Sequence, residues 1–130
     1  MSRSAQTGRL GERYAANLLR CKGYQIVQAN YRRRGGEIDI IAQKDGFLVF
    51  VEVKTRPEGA LVDALESMGV RKQRCIIRTA RQYLYESGCE LQPRFDVVAL
   101  TIKAGGRGFQ VLAVQHIENA YEAEETHALF

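Results

Sequence analysis

The chain has 130 residues, 45% of them hydrophobic and 26% charged, which suits one folded domain with its own core and excludes a disordered chain. Net charge is +4, but residues 118–130 hold four Glu and no Lys or Arg, so residues 1–117 carry 19 basic against 11 acidic side chains, +8, a bias that permits nucleic acid as a partner. Three cysteines without a CxxC pair and only two histidines argue against a zinc site, and the opening MSRSAQTGRLGER lacks the apolar core of a signal peptide, so a soluble protein of the reducing cytoplasm is expected.

Residues 4–22 read as a helix, with Leu10, Tyr14, Ala15 and Leu18 as the apolar stripe and Arg9, Arg13, Asn17 and Arg20 on the wet face. Gly23 stops it. At 100° per residue Glu12 falls on a flank with Ala16 and Leu19, where it points along the edge of a sheet rather than into it. Residues 24–31, YQIVQANY, read as a strand, and Arg32, Arg33 and Arg34 followed by Gly35 and Gly36 make a basic, flexible approach to what comes next.

That next stretch, GEIDIIAQKDGFLVFVEVKTR, runs from Gly36 to Arg56 and carries the strongest local signal in the chain. An Asp45-Gly46 pair between two β-branched apolar runs predicts a tight antiparallel hairpin. A loop symmetric about that pair sets Ala42 opposite Val49, Ile40 opposite Val51, Asp39 opposite Glu52 and Glu37 opposite Lys54. Alternation puts Phe47, Val49, Val51 and Val53 on one face of the second strand and Leu48, Phe50, Glu52 and Lys54 on the other. Two carboxylates directly opposite each other repel unless something positive lies between them, and a metal ion is the simplest such thing. Local pattern alone leaves a second reading standing, a solvated strand end with an ordinary Glu37–Lys54 salt bridge.

Residues 58–68, including LVDALES, are a connection of uncertain helical character. Residues 70–87 read as a helix with Gln73, Ile76, Ile77, Ala80, Tyr83 and Leu84 on one side and Arg71, Arg74, Arg78 and Arg81 opposite, a basic stripe with no acid between Arg71 and Tyr85. Residues 94–103 and 109–117 read as two more strands joined by a glycine loop, with Asp96 in a structural or phosphate-excluding role. Residues 118–130 read as an acidic C-terminal tail that starts as a short helix.

Asp39, twelve residues, then Glu52-Val53-Lys54 resembles the PD-(D/E)xK signature of the restriction-endonuclease-like nucleases, with Ile38 where the signature has proline. The blocks GRLGERYAANLL, GEIDIIA, FVEVKTR and RFDVVAL, in order across nearly all of the chain, resemble the bacterial YraN-like family, which is similar in turn to archaeal Holliday junction resolvases. The resemblance implies an α/β, single-domain restriction-endonuclease-like fold over residues 1–117, with a mixed five-stranded sheet flanked by helices. It also implies a metal-dependent DNA endonuclease acting on branched or structured DNA, working as a homodimer because a junction has paired strands to cut. Asp39 and Glu52 would hold Mg2+ or Mn2+, completed by the Val53 carbonyl, with Lys54 as catalytic residue. Glu12 matches the helix-borne glutamate that assists the site in resolvase-like members, and Lys72 would lean toward the same face. Arg32, Arg33, Arg34, Arg56 and the stripe of Arg71, Arg74, Arg78 and Arg81 would contact the nucleic-acid backbone. The alternative is a non-catalytic nucleic-acid-binding accessory protein of DNA repair or recombination, and a third reading is a purely structural protein.

Overall fold

The computed structural model describes residues 3–59, 68–105 and 108–123. Helix α1 (Arg3–Cys21) is followed by strands β1 (Gln25–Arg33), β2 (Gly36–Lys44) and β3 (Phe47–Pro57), helix α2 (Val70–Ser87), and strands β4 (Gln92–Gly105) and β5 (Gly108–Tyr121). The strands form one sheet in the order β1-β2-β3-β4-β5. Only β3 and β4 run parallel, joined through α2, as a crossover between parallel neighbours requires. This is the single-domain α/β architecture the elements predict, a five-stranded mixed sheet between two helices. No helix among the described residues is long and apolar enough to cross a membrane.

The hairpin forms where the Asp-Gly pair puts it. Asp45 and Gly46 have φ of 51° and 84°, the two positive values of a type I′ turn, and Lys44 pairs with Phe47 to close it. The expected alternation then sorts the core into two layers. Phe47, Val49, Val51 and Val53 pack with Ile40, Ala42, Val98 and Leu100 beneath α1. Leu48 and Phe50 pack with Ile38, Ile41, Phe95 and Val97 beneath Ile76, Ile77 and Ala80 of α2. Each such side chain taken fully out of water contributes about 1.5–3 kcal/mol, so one slip of register would forfeit most of the core.

Two expectations are corrected. The buried line of α1 is Gly11, Ala15 and Leu19, one position round from the predicted stripe, and Tyr14 is 39% exposed. Small residues at 11 and 15 let the helix lie close on the sheet; a Cβ at Gly11 would run into the Thr55 hydroxyl of β3. The short helix expected from Glu118 is instead the end of β5, which continues to Tyr121. Asp96, wholly buried, accepts hydrogen bonds from the Arg94 guanidinium (2.9 and 2.8 Å) and from the Asn119 backbone N–H (3.0 Å), and Tyr121 stacks on Phe95. The Asn119–Asp96 and Tyr121–Phe95 contacts join residues far apart in the chain and are invisible to local periodicity. The LVDALES segment, Arg107 and residues 124–130 lie outside the described residues.

Candidate active site

The β2–β3 ladder ends at Ile40 opposite Val51, one pair short of the register that would set Asp39 against Glu52. Beyond it the strands part. β3 continues beside β4 as far as Pro57 opposite Ile102, while the start of β2 stays with β1, Tyr31 opposite Ile38 and Arg32 opposite Glu37. The break is visible in the core as well: Ile38 joins the α2-side layer and Ile40 the α1-side layer, although two residues apart on a regular strand share a face. Asn30, between Ala29 opposite Ile40 and Tyr31 opposite Ile38, takes a left-handed φ of 53°. Asp39 stitches the fork: its Oδ2 accepts the Val53 backbone N–H at 2.8 Å, a bond the ladder would otherwise have supplied.

A cleft of about 640 Å³ opens at this fork, lined by Glu12 of α1, Glu37 and Asp39 of β2, Glu52 and Val53 of β3, and Lys72 of α2. Ligating oxygens of Glu12, Glu37 and Asp39 all lie within 4.8 Å of one another. Glu52 hydrogen-bonds to Asp39 through its side chain, so the two acids meet although the backbone pairing does not set them opposite. Its Oε1 lies 3.7 Å from Nζ of both Lys54 and Lys72. Glu37 pairs with Arg32 at 3.2 Å rather than with Lys54. With its amide nitrogen toward the carboxylates, Asn30 donates to Glu12 at 3.0 Å and Glu37 at 3.3 Å.

Crowding acids in a partly dry cleft makes their ionisation costly. Burial first, and then the Asp39 carboxylate beside it, push Glu52 up to about 7, against the pull of Lys72 and Lys54. Asp39 is raised by burial and by Glu37, with the Val53 N–H acting the other way. Glu12 is raised by burial and by Asp39 and Glu37.

The fold thus brings together Asp39, Glu52, Lys54 and Glu12, and turns Lys72 toward them. Glu37, read from sequence only as a salt-bridge partner, joins the acid cluster; its place two residues before Asp39 was the available signal. The expected basic contacts are scattered. Arg33 is committed to Glu86, with guanidinium–carboxylate distances of 3.0 and 2.6 Å, and lies over the Tyr31 ring. Arg32 and Arg34 are exposed, and Arg56 is half-buried with its Nε enclosed and unpaired. Arg71, Arg78 and Arg81 are exposed and Arg74 half-buried on the side of α2 turned away from the core. None of these four lines the cleft.

Residues 11–100 match the uncharacterised protein family UPF0102. The chain belongs to that family. The matched span contains every carboxylate and lysine of the fork. A UPF0102 protein of Prosthecochloris aestuarii is 49% identical over 119 residues, covering 90% of this chain and 94% of its own length. UPF0102 proteins of Chlorobium chlorochromatii (41% over 123 residues, 94% and 95% covered) and Symbiobacterium thermophilum (44% over 121 residues, 92% and 99% covered) are similar over the same extent.

Proposed function

We propose that the chain is a metal-dependent DNA endonuclease of the PD-(D/E)xK type, hydrolysing phosphodiester bonds in branched or otherwise structured DNA as its likeness to the junction resolvases suggests. The observation that carries this reading is the convergence of Glu12, Glu37 and Asp39 on one point within 4.8 Å, beside a Glu52 that two lysines approach. The donor set fits a hard divalent cation. It is all carboxylate, with no imidazole or thiolate, which favours Mg2+ or Mn2+ over zinc. The raised carboxyl groups are what such a set shows before a cation balances it.

Glu12, Glu37 and Asp39 would hold the ion, with Glu52 joining on loss of its proton. When bound, the metal supplies charge neutralisation at the phosphate and an acidified water. Asp39 keeps its carboxylate aimed into the fork through the Val53 N–H. Lys54, on the same face of β3 as Glu52, and Lys72, from the first turn of α2, put two ammonium groups beside the reacting phosphate, where they offset charge building on its oxygens. Arg32, which pairs with Glu37 at 3.2 Å, would receive a neighbouring phosphate.

The test is cleavage of linear, flapped and four-way DNA in Mg2+ or Mn2+, with chelator as control and with Asp39→Asn, Glu52→Gln and Lys54→Ala beside the wild type. Metal-dependent cutting lost in all three variants is expected. Cutting that survives Asp39→Asn sinks the assignment. Salt-sensitive DNA binding with no cutting in either metal selects the non-catalytic accessory protein instead.

A further inference from the structure

The acid cluster has a second approach, from the side opposite Lys72. Between α1 and β1 lies a hollow of about 840 Å³ that shares Gly8, Glu12, Glu37 and Asp39 with the fork. Its walls are Ala16, Ala29, Asn30 and Ile40, small or uncharged, and its cations are Arg9 and Arg13 from α1 and Arg32 from β1. Arg9 and Arg13 were assigned from sequence merely to the wet face of a helix. Both are exposed, and among the described residues neither has an ion-pair partner, whereas Arg32 leans on Glu37 at 3.2 Å. Four residues apart, the two arginines stand one above the other, about 6 Å along the axis, so each can meet a different phosphate of one strand.

We propose that this hollow is the track for a DNA strand entering or leaving the acid cluster, with Arg9 and Arg13 holding its phosphates; the occupant rests on the nuclease reading, while the track itself rests on the hollow and its cations. Surface guanidinium groups arrayed along a channel whose inner end is the reacting centre position a backbone without reading sequence. The arginines of α2 have no such relation to the centre, since they line neither part of the cleft. Arg9 and Arg13 are positioning residues: they touch the substrate away from the bond that breaks.

The experiment measures binding of a fluorescein-labelled oligo-dT strand in chelator, where no cleavage intervenes, across a salt series. It compares wild type, Arg9→Ala/Arg13→Ala, Arg9→Lys/Arg13→Lys and Arg71→Ala/Arg78→Ala. Each phosphate contact on a single strand contributes about 0.7 to the slope of log affinity against log salt. Losing two should lower the slope by about 1.4 and affinity by about 25-fold at 0.1 M salt, the lysine pair restoring most of both. An alanine pair that binds like wild type with an unchanged slope overturns the track, whatever the α2 pair does, and leaves the nuclease reading intact. A loss that lysines fail to restore overturns it too, because packing rather than charge would then be responsible. A wild type that does not bind the oligo-dT strand overturns the track, while the nuclease reading stands or falls on cleavage of the flapped and four-way substrates.

Discussion

Replacing Glu52 by Gln should make the metal-free protein more stable, and only on the alkaline side. Glu52 is 8% exposed and its proton is held up to about 7 from an ordinary 4.5. Between those values the folded protein keeps a proton that the unfolded chain has released. Stability from this group is therefore undiminished below about 4.5, falls as pH rises, and is lowest once pH has passed 7. The full shift corresponds to about 3 kcal/mol, taking roughly 1.4 kcal/mol for each pH unit. Glu52→Gln keeps a donor toward Asp39 and removes the charge. The expected result, by urea unfolding in chelator, is near-equality of variant and wild type at pH 4.5 and an advantage to the variant of about 3 kcal/mol at pH 8.5, on the order of 10 °C in Tm. Asp39 and Glu12 remain in both proteins, so the difference isolates Glu52. A difference that stays constant across this range, or favours wild type at high pH, would show that Glu52 ionises in the fold as it does in water, and the account of a crowded, dry acid cluster would fail.

Removing the buried Asp96 carboxylate as Asp96→Asn should cost about 3 kcal/mol in urea unfolding, because Arg94, only 15% exposed, loses its nearer counter-charge and keeps only the exposed Glu118 at 3.7 Å. Asp96 is held below its ordinary 3.8 by His116, Arg94 and the Asn119 N–H against the pull of burial, so its contribution is present above that value and lost as pH falls through the lower folded one; the acid limb of wild-type stability should flatten in the variant. Gly11→Ala should destabilise by about 1–3 kcal/mol despite the better helix former, since the new methyl meets the Thr55 hydroxyl, and Gly11→Ala/Thr55→Ala should recover at least wild-type Tm because the remaining Thr55 Cβ lies at 3.6 Å, an ordinary contact.

How much of this was legible before the structure depended on whether the signal was local. Asp45-Gly46 dictates a turn with two positive φ values, and the alternation from Phe47 to Lys54 follows from pleating alone, so the hairpin and its two faces were readable residue by residue. The span of α2 was too, since its apolar period runs through Ile76, Ile77, Ala80, Tyr83 and Leu84. What escaped needed a partner far along the chain. Glu118 to Tyr121 has helix-compatible composition, yet a buried Asp96 more than twenty residues earlier claims the Asn119 N–H and keeps the segment in the sheet. Tyr14 looked like core because it is large and apolar; Gly11 is core because Thr55 leaves no room for anything larger. In the candidate site, type and spacing singled out Asp39, Glu52 and Lys54, which the fold brings together, whereas Glu37 joins them only because the ladder stops before it could face Lys54.

The ladder's early end is what shapes the candidate site. A regular hairpin would have satisfied the Val53 N–H with a β2 carbonyl, set Asp39 directly opposite Glu52 and carried Glu37 on to face Lys54. Giving that N–H to the Asp39 side chain keeps one hydrogen bond of about 0.5–1.5 kcal/mol while releasing the strands to diverge. The divergence makes room for Glu12 from one helix and Lys72 from the other, on opposite sides of the sheet, to reach the same cleft. Both helices are held close to the opening by glycines: a Cβ at Gly11 would strike Thr55 and one at Gly36 would come within 2.8 Å of the Thr79 hydroxyl. The two helices thus pack close on either side of the crowded carboxylates. Crowding raises the Glu52, Asp39 and Glu12 carboxyl groups above their ordinary values, and under the proposed function a cation would offset that repulsion.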